Sequence, residues 1–106
     1  MVVNAGGRVF ETTLRTLRAV PGSYFTGPLE AFLEGSERQI FLDLDPDAVA
    51  LVLEYLRSKS YGYDLDLTHE PRNVLSRTVG VARYLLLDEL AEIVSRPTAG
   101  FLQRNQ

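Results

Sequence analysis

Few side chains in this sequence could make or break bonds, and their spacing argues against most of that chemistry. His69 is the only histidine and cysteine is absent, so neither a conventional zinc cluster nor a thiolate nucleophile can be built. Asp43, Asp45 and Asp47 alternate as the start of a calcium loop would. Pro46 interrupts them, however, and neither the loop length nor the closing glutamate of an EF-hand follows. Helix capping and hydrogen bonding between subunits account for these carboxylates better. Asn4-Ala5-Gly6-Gly7 lacks the glycine spacing and the terminal Lys-Ser/Thr of a phosphate loop. No serine stands in a nucleophile elbow, and a single loop histidine gives a Ser-His-Asp triad nothing to build on. The reading is a non-enzymatic chain with no catalytic, cofactor-binding or metal-binding residues, in which His69 is a surface loop residue.

The elements around these residues follow from pattern. Val2-Val3-Asn4 and Arg8 to Thr12 read as two extended runs joined at Ala5-Gly6-Gly7, where the glycines supply positive φ angles, so a hairpin opens the domain. Thr13 precedes Leu14, Leu17 and Val20, which share a helical face until Pro21-Gly22 ends the run. Ser23, Tyr24 and Phe25 begin a second short apolar element that stops near Gly27-Pro28. Leu29 to Gln39 reads mostly as loop, and Ile40-Phe41-Leu42 as a brief buried strand.

Asp45 as N-cap, Pro46 at the first helical position and Asp47 in the first turn predict a central helix from Pro46 to Arg57 or Ser58. Val49, Val52, Leu53 and Leu56 make its stripe, and Ala48, Ala50, Leu51 and Tyr55 widen it. A belt of that width fits either a central helix buried within one domain or a helix that also meets a second subunit. Tyr61 to Glu70 reads as loop or short edge strand. Pro71 announces the next helix, with Val74, Leu75, Thr78, Val79 and Ala82 in phase. Leu87, Leu90, Ala91 and Val94 repeat the spacing before Pro97 stops it. The domain is therefore placed at residues 2–94, and 95–106 is read as a C-terminal tail or linker.

Composition narrows the class of partner. A length of 106 residues with 45% hydrophobic and 24% charged content suits one soluble domain with one modest core, small enough to gain from pairing with copies of itself. Fourteen acidic against eleven basic residues give a net charge of −3, with the bases scattered singly, which argues against nucleic acid as a partner. No apolar run approaches the roughly 18 residues of a membrane span, and no signal peptide is read, so no membrane contact is expected of this chain. The lack of cysteine fits a reducing, cytoplasmic setting.

The order of the motifs carries a resemblance. Asn4-Ala5-Gly6-Gly7-Arg8-Val9-Phe10-Glu11-Thr12 resembles the Asn-Val-Gly-Gly-x-x-Phe-x-Thr signature of BTB/POZ domains of the potassium-channel tetramerisation type, with Ala5 for the usual valine. Thr16-Leu17, Pro21, Ser23 and Phe25 follow at the family's spacing. Phe41-Leu42-Asp43-Leu44-Asp45-Pro46 is similar to its Phe-Ile-Asp-Arg-Asp-Pro block, Leu53-Glu54-Tyr55-Leu56-Arg57 to its Leu-x-Tyr-Leu-Arg, and Ala82-Arg83-Tyr84 with Leu87 and Leu90 to its closing helix. Departures accompany these matches. Leu44 replaces an arginine and removes an inter-subunit ion pair. Leu86 stands where glycine is common, which predicts a straighter last helix, and Ser58-Lys59-Ser60 replaces a glycine-containing turn. The cysteines of the zinc-bridged channel subfamilies are absent.

What this resemblance implies is a mixed α/β (α+β) fold, a small three-stranded sheet flanked by helices, that assembles side by side into a closed homo-oligomeric ring, a tetramer or pentamer, through a heterologous interface. It maps Thr12 and Asp43, and less directly Asn4 and Asp45, to that interface. Each has a local role as well: Asn4 supports its turn, Thr12 satisfies strand-end groups, Asp45 caps its helix. The implied function is that of a soluble adaptor or scaffold, including adaptors that present a partner to a cullin ubiquitin ligase. The alternatives are the cytoplasmic assembly domain of a voltage-gated potassium channel subunit, and the dimerisation module of a longer transcription factor.

Overall fold

A computed structural model describes residues 1–29 and 39–96; the expected loop between Leu29 and Gln39 and most of the expected tail fall outside them. Two strands, β1 (Val2–Ala5) and β2 (Arg8–Glu11), form the opening hairpin. They pair antiparallel from Val2↔Glu11 to Ala5↔Arg8, leaving Gly6 at φ 57° and Gly7 at φ 100° as the two turn residues, the left-handed pair that a tight hairpin of this twist demands. A third strand, β3 (Gln39–Leu42), runs parallel to β1 on its other side, so β1 is central in the order β2-β1-β3.

The pleat divides the sheet's side chains into two sets. Val3, Ala5, Ile40 and Leu42 are buried and face the helices, with Phe10 packed against the same core. Asn4, Val9 and Phe41 occupy one row across the opposite face. Val9 and Phe41 there remain 61% and 63% exposed. The expectation of a buried β3 is thus corrected to a half-buried, alternating strand.

Among the described residues, four helices cover the inner face and continue beyond it: α1 (Leu14–Leu17), α2 (Pro46–Tyr61), α3 (Arg72–Tyr84) and α4 (Asp88–Ser95). A single 3-10 turn, Tyr24–Thr26, is capped by the buried Ser23 hydroxyl, which accepts from Phe25 N. Thr13 caps α1 by accepting from Thr16 N at 3.1 Å. The helix ends at Leu17, short of Val20: a residue preceding proline is driven out of helical geometry, and Val20 precedes Pro21.

The central helix begins as expected, with an Asp45 oxygen accepting from Ala48 N at 3.0 Å and Pro46 in its first turn. It runs on to Tyr61, past the end at Arg57 or Ser58 that the pattern predicts, and takes in Ser58-Lys59-Ser60, the residues that replace the family's glycine-containing turn. Gly62 then stops it in left-handed geometry, donating its N–H to Ser58 O. Ala48, Val49, Leu51, Val52, Leu53, Tyr55, Leu56 and Ser58 are all buried within the one chain. Ala50 alone of the wide apolar belt stays partly exposed; the rest is covered by the strands and helices of its own domain, without a second subunit.

The Tyr61–Glu70 segment contains no strand; Tyr61 closes α2 and the remainder is loop. Between α3 and α4 the chain breaks sharply. Leu86 sits at φ 61°, with Leu87 N donating to Ala82 O at 2.8 Å and Leu86 N to Arg83 O at 3.1 Å, the paired bonds of a Schellman ending. Leucine therefore makes the left-handed turn that the resemblance assigns to glycine, and the helix does not run straight. A Cβ in this region costs about 1–2 kcal/mol, offset here by the burial of Leu85 and Leu87 on either side.

Candidate functional site

The hairpin turn, the end of β3 and the start of α2 meet at one end of the sheet, and most of the residues singled out in the sequence meet there. Gly6 N donates to Leu42 O at 3.0 Å. A side chain at Gly6 would strike Leu44 O at 2.9 Å and crowd Pro46 Cδ at 3.3 Å, so the backbones approach as closely as glycine allows. The Asn4 side-chain oxygen accepts from Gly7 N at 2.9 Å, the local role expected of it.

Asp45 and Asp47 are bound into a chain of ions that joins three elements. Arg8, on β2, lies 2.9 Å from Asp47 Oδ1; Arg77, on α3, lies 3.6 Å from Asp47 Oδ2 and 3.3 Å from Asp45 Oδ2. All four side chains are at least a third exposed or nearly so, so each contact is individually weak and its geometry registers the elements more than it stabilises them. Asp43 differs: it is exposed on the chain leaving β3 and makes no ion pair with any described residue. Sequence reading missed this ionic chain because its members are far apart in the sequence. The only available signal was the presence of Arg8 and Arg77 as basic residues on predicted elements.

Thr12 lies at the other end of the sheet. Its N–H donates to Met1 O at 3.0 Å, which continues the hairpin register, so a strand of four residues, roughly 13 Å, separates it from Asn4's end. Its Oγ1 is enclosed without a hydrogen-bond partner; reaching a neighbour would require the side chain to rotate. The four residues thus form two groups, Asn4, Asp43 and Asp45 at one end and Thr12 at the other.

Basic side chains stand over several of the aromatic rings. Arg8 lies over Phe10 at 5.0 Å, Arg15 over Tyr61 at 4.7 Å and Lys59 near Tyr55 at 5.6 Å. Tyr24 and Tyr84 face one another at 5.3 Å with a 43° tilt, held together by Tyr24 N donating to Leu85 O at 2.8 Å. They line a cleft of about 350 Å³ with Leu29, Phe41, Leu42, Asp43 and Leu44.

A polar latch occupies the far side. The Tyr55 hydroxyl donates to Glu89 Oε1 at 2.6 Å, and Lys59 Nζ reaches the same oxygen at 2.8 Å. Burial, then the Glu89 carboxylate, pushes the Tyr55 phenol well up. The hydrogen bonds from Lys59 and Tyr55 hold Glu89 below its ordinary value. This constellation ties α4 to α2 and is satisfied within itself. His69 is exposed in the loop before α3. Among the described residues no three His, Cys, Asp or Glu side chains are grouped to hold a metal, and no helix is long and apolar enough to cross a membrane.

Comparison with known proteins agrees with this architecture. A family model described as a BTB/POZ domain matches residues 1–92. The human BTB/POZ domain-containing protein KCTD3 is 37% identical over 98 residues, covering 83% of this chain and 12% of that protein. Bovine SH3KBP1-binding protein 1 is 34% identical over 95 residues, covering 83% and 13%, and its rat counterpart is 37% identical over 60 residues, covering 54% and 8%. The chain thus spans about an eighth of the length of the first two relatives.

Proposed function

Because the chain belongs to the BTB/POZ family, in its potassium-channel tetramerisation branch, whose domains are protein–protein interaction modules, we propose that it homo-oligomerises and acts as the assembly module of an adaptor or scaffold. The observation that carries this reading is the outer face of the sheet. Val9 and Phe41 flank Asn4 in one row, both more than half exposed, on the two edge strands. Large apolar side chains on opposite edges of one face suit a heterologous contact, in which one edge of a subunit meets a different surface of the next and repetition closes a ring. The separation of Asp43 from Thr12 suits the same geometry, because a head-to-tail interface draws its two sides from different parts of the subunit. The belt on α2 lends no support, being covered within the chain apart from Ala50.

The adaptor reading draws on the relatives: two of them are SH3KBP1-binding proteins by name, and a ring would hold several copies of an attached partner-binding region together. A cytoplasmic adaptor that delivers its partner to a cullin ligase is the finer form of the proposal. A pull-down with a purified cullin amino-terminal domain tests it, and persistent failure at high concentration reduces the function to scaffolding alone.

The assembly itself is tested by light scattering coupled to size exclusion. The expected result is a monodisperse tetramer or pentamer at tens of micromolar. Val9→Ser should shift it towards monomer while leaving the circular dichroism melt in place, since that side chain is exposed in the free subunit. A monomeric wild-type mass at that concentration overturns the proposal.

A further inference from the structure

The cleft lined by Tyr24, Tyr84, Phe41 and Asp43 shares Phe41 and Asp43 with the assembly reading and adds to them two tyrosine rings that the assembly reading does not use. Phe41 is largely exposed, Tyr84 is 55% exposed, and Tyr24 packs against Tyr84 at 5.3 Å. Aromatic faces carry negative potential and attract a cation placed over them. Three rings elsewhere in the described chain already carry a cation: Phe10, Tyr61 and Tyr55 each have an arginine or lysine within 5.6 Å of the ring. Among the described residues no cation stacks on Tyr24, Phe41 or Tyr84.

Asp43 adds the counter-charge. Of the alternating carboxylates, Asp45 and Asp47 are taken up by Arg8 and Arg77, which leaves Asp43 without an ion pair among the described residues at this cleft. Leu44, partly buried on the cleft lining, stands beside it; a basic side chain at that position would have offered Asp43 a partner close at hand. Three rings and one carboxylate around about 350 Å³ complement a flat cation on an apolar stem.

We propose that this cleft is a binding site for an arginine side chain on a basic segment of a partner protein, with the guanidinium stacked against Tyr84 and Phe41 and paired with Asp43. Arginine fits better than lysine because its planar head stacks and forms two parallel hydrogen bonds to a carboxylate. Because Phe41 and Asp43 also belong to the proposed assembly face, ring closure would compete for this site, and the inference concerns the cleft of a subunit that leaves it open.

The test is an NMR titration of the isotopically labelled domain with a short peptide carrying one central arginine, and with the same peptide carrying citrulline, which keeps the shape and removes the charge. The expected result is shifts confined to the surroundings of Tyr24, Phe41, Asp43 and Tyr84, with the arginine peptide binding about tenfold more tightly than the citrulline peptide. Asp43→Asn and Tyr84→Ala should each weaken binding by about fivefold or more, while Tyr61→Ala, at an aromatic that already holds Arg15, should leave it unchanged. Melting curves confirm that each variant is folded. Equal binding of the two peptides, or binding indifferent to both cleft variants, overturns the proposal. So does a cleft whose resonances respond to protein concentration and not to peptide; that result would give the cleft to a second copy and leave the assembly reading standing, whereas a monomeric mass with normal arginine binding would do the reverse.

Discussion

Two tyrosines donate hydroxyl hydrogen bonds of nearly equal length to glutamates, Tyr55 to Glu89 at 2.6 Å and Tyr63 to Glu54 at 2.7 Å. Their surroundings differ, since Tyr55 is 2% exposed and Tyr63 45%. Replacing each by phenylalanine removes one hydroxyl and little else. A hydrogen bond to a charged acceptor contributes about 1.5–3 kcal/mol when removed from a dry setting. Glu89 keeps Lys59 at 2.8 Å and its side chain is 58% exposed, so water can replace part of the loss. Tyr55→Phe is therefore expected to cost about 1–2 kcal/mol, and Tyr63→Phe far less, because water already competes for that bond. For a domain of this size each kcal/mol lowers Tm by about 4–8 °C, so the two variants should separate clearly in thermal melts followed by circular dichroism. Urea titrations with unchanged slope would confirm that the native state is what weakened. Equal losses in the two variants would refute the argument that burial sets the value of the bond, and a neutral Tyr55→Phe would show that the latch does not hold α4 to α2.

Leu53, 1% exposed on α2, should cost about 2–5 kcal/mol when truncated to alanine, a loss visible as a lowered urea midpoint. Thr12→Val replaces an enclosed, unpaired hydroxyl with a methyl of similar shape, and stability should hold or rise by about 1 kcal/mol; a fall in Tm would show that the hydroxyl has a partner. The latch also sets pH limits. Glu89 is held below its ordinary 4.5, so its contribution is complete above that value and is lost as pH falls through the lower folded one. Tyr55 is raised above its ordinary 10.0, so its contribution is complete below that value and is lost as pH rises towards the higher folded one. Melts across pH should decline on both sides, and in Tyr55→Phe the alkaline decline should shrink.

Much of the fold was legible because its signals are local. The Asp45-Pro46 start of α2 and the glycine pair of the hairpin act within a few residues, and both stand where the pattern placed them. The errors arise where local signals compete. Leu14, Leu17 and Val20 keep helical spacing, but the constraint imposed by Pro21 on Val20 wins and α1 stops early. The pattern ends α2 at Arg57 or Ser58, yet without a glycine at 58–60 the helix continues until Gly62 offers a left-handed exit. At Leu86 the backbone takes a left-handed turn without glycine, which no propensity argument would assign to leucine. The site was legible only as separate residues. That Asp45 and Asp47 share Arg77, that Asp43 is left over, and that Tyr24 meets Tyr84 are facts of tertiary approach, invisible until the strands and helices are placed.

The central position of β1 sets an order of events in folding. Val2 finds Glu11 across a two-residue turn but must wait for Gln39, far along the chain, to complete its other side. Hairpins of this kind close in about 1–10 μs, whereas a parallel partner arrives only after a long loop has lost its freedom. Nascent β1–β2 ribbons would then carry one bare edge until β3 docks, and that edge belongs to the strand bearing Val3 and Ala5, which end up wholly buried. Substitutions in β3 should accordingly speed unfolding more than they slow the first collapse, and the bare edge makes the time before β3 arrives the interval in which refolding chains are most exposed to pairing with one another.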